Sequence, residues 1–273
     1  MQAASRESYA SAAQRLEEYV TGAEPEAVAT VADEILAVAA LLRREPRLRR
    51  ALADPARTGE ERVELLRGLV AGKVTDDTAE VLAALVGGRW STGADLLDAA
   101  ELLGVDALLG SAERAGQLAD VEDELFRFGQ IVDGDGRLAV ALGDSTATPQ
   151  RRAELVRALL DGKASPATVR LGELAVASLG GRGFAASLTR LVELTAQRRG
   201  RSVAYVTVAA PLTDAEEERL GTLLTGLYGR EVSVLVTVDP DVLGGMSVQV
   251  GDSRWDGTVR RRLHDTRIAL AGR

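Results

Sequence analysis

Apolar residues recur at helical spacing from the start of the chain. Tyr9, Ala13, Leu16 and Val20 follow one another at intervals of four, three and four, which places them on one face of an amphipathic helix. Pro25 suits the first position of a second helix, where its missing N–H costs nothing, and Val28, Val31, Ile35, Val38 and Leu42 form the apolar face. Pro46 closes that segment and the Asp54-Pro55 turn follows. A third and a fourth helix are expected after that turn, the latter through Val63, Leu66 and Val70, with Gly72 placed to cap its end. Thr75 opens a fifth, which carries Val81, Leu82, Leu85 and Val86 up to Gly87-Gly88.

Sliding the chain along itself uncovers an internal repeat. PRLRRALADPARTGEERVELLRGLVAGKVTDDT lies without a gap over GRLAVALGDSTATPQRRAELVRALLDGKASPAT. Arg47, Leu52, Asp54, Thr58, Arg62, Gly72, Lys73 and Thr78 recur as Arg137, Leu142, Asp144, Thr148, Arg152, Gly162, Lys163 and Thr168, and upstream Val31, Asp33 and Glu34 recur as Val121, Asp123 and Glu124. Roughly a third of about fifty aligned positions are identical, more than a shared helical composition gives. The chain's two lysines, Lys73 and Lys163, fall on equivalent positions. Two related helical bundles in tandem are expected, because the unit is far longer than a solenoid repeat.

Beyond Arg198-Arg199-Gly200-Arg201 the period changes from helical to alternating. SVAYVTVAA predicts a strand, and Thr213 with Glu216 forms a capping-box pattern before a helix through Leu220, Leu223, Leu224 and Leu227 that Gly229 ends. EVSVLVTV and MSVQV predict two more strands, separated by the Asp239-Pro240 turn and the Gly244-Gly245 step. A turn at Gly251-Asp252 leads to Asp256, placed to cap a last helix through Val259, Leu263, Ile268 and Leu270.

Composition narrows the function classes. Hydrophobic residues make up 46% and charged residues 27% of the 273, as in folded domains, whereas aromatics are only 3%. A formal charge of −8 with no basic block argues against nucleic acid as a partner. The absence of cysteine removes disulfides, thiolate metal sites and a cysteine nucleophile; the single histidine, His264, leaves no His-based metal cluster within one chain. The N-terminal segment lacks the basic start and apolar core of a signal peptide, and no run of about 18 apolar residues predicts a membrane span.

Several motifs have an enzymatic and a structural reading. Gly244-Gly245 lies between strands rather than before a helix, so a glycine turn is favoured over a phosphate loop. Gly68 to Lys73 shares letters with a Walker loop, but its spacing is short and Val74 stands where Ser or Thr is needed. Asp76-Asp77 and Glu216-Glu217-Glu218 lie near predicted helix N-termini, where the macrodipole favours negative charge. Arg260, Arg261 and Arg262 are read as a solvated face.

The segment VTVDPDVLGGMSVQVGDSRWDGTVRRRL resembles the C-terminal signature of the ATP synthase delta subunits, the oligomycin-sensitivity-conferring proteins of mitochondria. Asp239, Leu243, Gly244, Gly245, Gly251, Asp252, Asp256, Gly257, Thr258, Val259 and Arg260 fill the signature positions. The Tyr9-Ala10 pair and the Glu-Leu-Leu helix look like the family's N-terminal domain. The usual member has one bundle where this chain has two, so either copy can be the additional one; the enlarged form resembles that of actinobacteria.

The repeat and the change of period predict a mainly α fold with an α+β tail, a first bundle over 1–103, a second over 104–199 and a small α/β domain over 200–273, to which the resemblance assigns a role. The resemblance implies a non-catalytic stator without cofactor, in which a groove between the first and fifth helices holds the N-terminal helix of an alpha subunit. Tyr9, Ala13, Leu16, Leu82 and Leu85 are the candidate anchors. The C-terminal region of the b subunit, and the beta subunit, are further implied partners, at the cytoplasmic face of the plasma membrane. The alternatives are a helical adaptor unrelated to ATP synthase and an enzyme, for which only scattered carboxylates are at hand.

Overall fold

A computed structural model describes all of the chain except residues 145, 201, 230, 251, 252 and 262–273. The turn at Gly251-Asp252 and the helix positions Arg262, Leu263, His264, Ile268 and Leu270 therefore lie outside the described residues. The fold is the expected mainly α architecture with a small mixed sheet towards the C-terminus.

The helices run α1 (Ala3–Gly22), α2 (Pro25–Arg44), α3 (Pro46–Leu52), α4 (Gly59–Val70), α5 (Asp76–Gly87) and α6 (Gly93–Arg114). They continue as α7 (Leu118–Gly134), α8 (Gly136–Gly143), α9 (Pro149–Leu160), α10 (Pro166–Val176), a 3₁₀ turn at Leu179–Gly181 and α11 (Phe184–Arg198). Local chemistry sets the boundaries. Thr58 accepts the N–H of Glu61 while the Glu61 side chain takes the Thr58 N–H, closing a capping box at the start of α4. Thr148, ninety positions later, caps α9 from the N–H of Arg151. Gly72 and Gly162 both sit in the left-handed region, at φ 67° and 66°, where glycine ends a helix without strain.

The chain divides into two compact units, one of Met1–Glu124 with Arg137–Leu188 and the other of Leu125–Gly136 with Thr189–Arg273. These do not coincide with the two sequence copies, because α7 and α11 each contribute to both units. The division between residues 103 and 104 falls inside α6, one uninterrupted helix.

In the first unit the apolar stripes of α1, α2 and α5 meet: Leu16, Ile35, Leu42, Leu82 and Leu85 are fully buried. α6 differs from its neighbours. Leu96, Leu103, Val105, Leu108 and Leu109 lie on different sides of it, yet all are buried, as expected of a helix packed all round.

The second unit contains β1 (Ser202–Val208), α12 (Asp214–Tyr228), β2 (Val232–Val238), β3 (Met246–Val250) and β4 (Ser253–Asp256), in the sheet order β2-β1-β3-β4. β1 and β2 are parallel, so the crossover helix α12 is required between them, while β3 and β4 pair antiparallel. Ala204, Val206, Val208, Leu224, Val232, Val248 and Val250 form its core. β4 was not foreseen: its Ser-Arg-Trp-Asp sequence is exposed at every position and carries no apolar alternation.

Candidate interaction site

The repeat is reproduced in hydrogen bonds as well as letters. Glu34 on α2 accepts the N–H and hydroxyl of Thr75, the N-cap of α5, at 2.9 and 2.8 Å. Glu124 on α7 accepts the same two groups of Ser165, the N-cap of α10, at 3.0 and 2.9 Å, and the hydroxyl of Thr168 at 2.6 Å. In both copies a carboxylate therefore fixes the start of the fifth helix against the second. Burial pushes the Glu34 carboxyl up, but the hydrogen bonds from Thr78 and Thr75 outweigh it and leave it below its ordinary value.

A second equivalence is broken. Arg62 is buried and donates to five carbonyls, those of Val86, Asp54, Arg57, Gly87 and Gly88, at 2.6–3.2 Å, which seals the C-terminal end of α5. Its counterpart Arg152 reaches only the Leu142 carbonyl, at 3.3 Å, and its Nε is without a partner among the described residues. The end of α10 is built differently: Ser178 adopts φ 64° and the Leu179–Gly181 turn takes over.

The candidate anchors separate into two groups. Leu16, Leu82 and Leu85 lie in the bundle interior, at 1%, 0% and 0% exposure, so they set the spacing of α1 and α5 rather than meet solvent. Tyr9 is half-buried and donates its hydroxyl to Asp106 on α6, and Ala13 is half-buried one turn further along α1. The surface over α1 and α5 is instead made by Ser11, Gln14, Arg15 and Glu18 from one helix and Asp76, Asp77 and Glu80 from the other, all exposed. Arg15 bridges this surface to Glu80, which raises the guanidinium pKa.

In the second unit the signature residues brace one another. The Gly244 carbonyl accepts the N–H of Val259 at 3.0 Å, and the Gly257 N–H donates to Met246 at 2.9 Å. Gly245, at φ 79°, lies so close to Gly257 that a Cβ would stand 2.5 Å from its carbonyl oxygen. Asp239 Oδ1 accepts the Asp241 N–H at 2.9 Å, Arg260 donates to the Asp241 carbonyl at 3.1 Å, and Asp256 accepts both the N–H and hydroxyl of Thr258. The Gly-Gly step is therefore a structural joint. Leu243 is left exposed beside it, and Leu223 and Leu227 are exposed on α12 at 63% and 67%. No group of three potential metal ligands occurs among the described residues.

Comparison with known proteins decides the family. The model of the ATP synthase delta (OSCP) subunit matches residues 105–270.

The chain belongs to the ATP synthase delta (OSCP) subunit family.

It is 61% identical over 274 residues to an ATP synthase subunit delta of Salinispora arenicola, covering 100% of both chains. It is 46% identical over 272 residues to that of Streptomyces griseus, again covering 100% of both. Among solved structures it resembles a chain of the Toxoplasma gondii mitochondrial ATP synthase hexamer, at 16% identity and a TM-score of 0.38, covering 61% of this chain and 94% of that one. The family match begins inside α6, so it takes in the second copy and the sheet and leaves α1 to α5 outside.

Sequence reasoning missed Glu101 and Gly104 on α6 and the pairing of Asp33 with Arg170. The apolar residues on every side of α6 were a readable signal for the first two. The ion pair joins residues 137 positions apart and has no local signal.

Proposed function

We propose that the chain is a stator adaptor of the F-type proton-translocating ATP synthase, linking the N-terminal helix of an alpha subunit to the C-terminal region of the b subunit and resisting rotor torque. The observation that carries this is the full-length likeness to the ATP synthase subunit delta chains of Salinispora arenicola and Streptomyces griseus, at 61% and 46% identity. The adaptor is non-catalytic. Its attachment is peripheral, at the cytoplasmic face of the plasma membrane, and among the described residues no helix is long and apolar enough to cross one.

Two surfaces support two partners. The polar face over α1 and α5, spaced by Leu16, Leu82 and Leu85 beneath, is the proposed seat of the alpha-subunit helix. Leu223 and Leu227 on α12 are the proposed b-subunit contact, since exposed leucines one turn apart suit a helical partner. Holding two partners at once raises the effective concentration of each, so neither interface has to be tight alone.

The test is affinity purification of the tagged chain from its native membranes, with co-purifying proteins identified by mass spectrometry. Recovery of alpha, beta and b subunits is expected. Their absence from a well-solubilised sample would overturn the proposal, as would ATPase turnover by the purified chain.

A further inference from the structure

The ninety-residue offset maps Ala3, the start of α1, onto Gly93, the start of α6, and maps Gly93 onto Gly183, next to the start of α11 at Phe184. α6 is thus both the last helix of the first copy and the first helix of the second. The same offset maps α5 onto α10, so the groove over α6 and α10 is the second-copy equivalent of the surface over α1 and α5.

The two grooves are not in the same state. On α1 the outward positions Ser11, Gln14, Arg15 and Glu18 are exposed and polar. Their counterparts on α6 are Glu101, Gly104, Val105 and Leu108, all buried. What covers them is α2. Leu36 packs so closely on Gly104 that a Cβ there would fall 2.4 Å from its Cδ2, and Arg43 pairs with Glu101, whose other oxygen takes the Gly180 N–H at 2.9 Å. The Ser111 hydroxyl donates to the Pro25 carbonyl at 2.7 Å.

α2 also reaches α10. Arg170, the counterpart of Glu80, donates from Nε to Asp33 at 2.9 Å, with a second contact from Nη2. Burial lowers the Arg170 pKa, but the hydrogen bonds to Asp33 and Glu173 outweigh it and the net direction is up. A residual cleft of about 420 Å³ remains where Ala29 and Asp33 of α2, Leu108 and Ala112 of α6, and Ala167 and Arg170 of α10 meet. Its lining, with Glu26 and Asp33 against Arg170, is closer to neutral than the first groove. Glu18, Asp76, Asp77 and Glu80 make the α1–α5 surface acidic around Arg15, whereas the second groove presents Arg170 already matched by Asp33.

We infer that α2 is a built-in occupant of the α6–α10 groove, so that the chain offers one helix-accepting site, over α1 and α5 in the first copy, to a helix carrying basic residues. This rests on the reading of the chain as an adaptor for the alpha-subunit helix and specifies which copy takes it. The copy that the family model matches is the closed one. Sharing a single helix between two bundles is the physical reason, because the last helix of one bundle must be covered by that bundle's own second helix.

The chain contains no cysteine, so single cysteines report on single sites. In the full-length chain, Gln14→Cys and Gln117→Cys would be labelled with an environment-sensitive dye and titrated with a synthetic peptide of the cognate alpha-subunit N-terminal helix, with stoichiometry read by calorimetry. One peptide per chain, with a signal change at Gln14→Cys alone, is expected, and Glu80→Arg should weaken binding at least ~10-fold, the factor a loss of about 1.4 kcal/mol produces. Two peptides per chain, or a change at Gln117→Cys alone, would overturn the inference and leave the adaptor reading intact. No binding at all would instead overturn the adaptor reading at this surface. Closure by α2 is then decided without the peptide: a thiol reagent should modify Leu108→Cys at least ~10-fold more slowly than Glu18→Cys under native conditions, and equal rates would refute it.

Discussion

The Glu124 carboxylate receives the backbone N–H of Ser165 at 3.0 Å and its hydroxyl at 2.9 Å. Glu34 makes the same pair of contacts to Thr75, although Ser has replaced Thr and the neighbouring residues differ. What the duplication has kept is the function of the pair: an acceptor on the second helix that takes the N–H and hydroxyl of the N-cap residue of the fifth.

Replacing Glu34 or Glu124 by Gln should therefore destabilise the chain by about 1 kcal/mol each in urea unfolding, as a charged acceptor becomes a neutral one. For Glu34 a pH dependence follows. Its folded pKa is depressed, so its contribution is present above the ordinary glutamate value and is lost as pH falls through the lower folded value. Glu34→Gln should flatten the acid limb of the stability curve in that window; an unchanged limb would mean that the pair is not formed.

Arg62 and Arg152 occupy equivalent places but should not be equally important. Arg62→Ala removes five hydrogen bonds made by a buried guanidinium and should cost about 3 kcal/mol, whereas Arg152→Ala removes one and should cost about 1 kcal/mol. Thermal unfolding of the two variants side by side checks the ranking.

Truncation of the interior leucines should act on folding. Leu82→Ala and Leu85→Ala leave cavities under α1 and should each cost about 2–5 kcal/mol. Where such variants remain folded, the altered spacing of α1 and α5 should weaken binding of the alpha-subunit helix less than Glu80→Arg does, measured by calorimetry at a temperature well below the lowered Tm.

Gly245→Ala tests the joint in the second unit. At φ 79°, with the Gly257 carbonyl oxygen 2.5 Å from the position of a Cβ, alanine should cost about 2 kcal/mol or more. Hydrogen exchange should report the loss in β3 and β4, with α1 to α5 unaffected.

Leu223→Glu with Leu227→Glu places charge on an exposed face of α12, so folding should be preserved while recovery of the b subunit in affinity purification falls. Undiminished recovery would move that contact elsewhere.

Much of the fold was written in local sequence. The helices follow from apolar spacing, their ends from Thr75, Thr213, Gly72 and Gly229, and β1 to β3 from runs of valine and threonine, because each of these signals acts within a few residues. The repeat was legible too, since it is a comparison of the chain with itself. β4 was not, because an exposed edge strand is held by pairing with β3 rather than by burial.

The site was less legible. Tyr9, Ala13, Leu16, Leu82 and Leu85 share the spacing of an apolar face, and periodicity cannot say whether such a face meets a core or a partner; packing put the three leucines inside. By itself the sequence determined most of the elements, the duplication and the family signature. Only the tertiary structure decided that the two copies share α6, that α2 covers its outer face, and that Asp33 meets Arg170, because contacts between residues far apart in the chain depend on how whole helices pack.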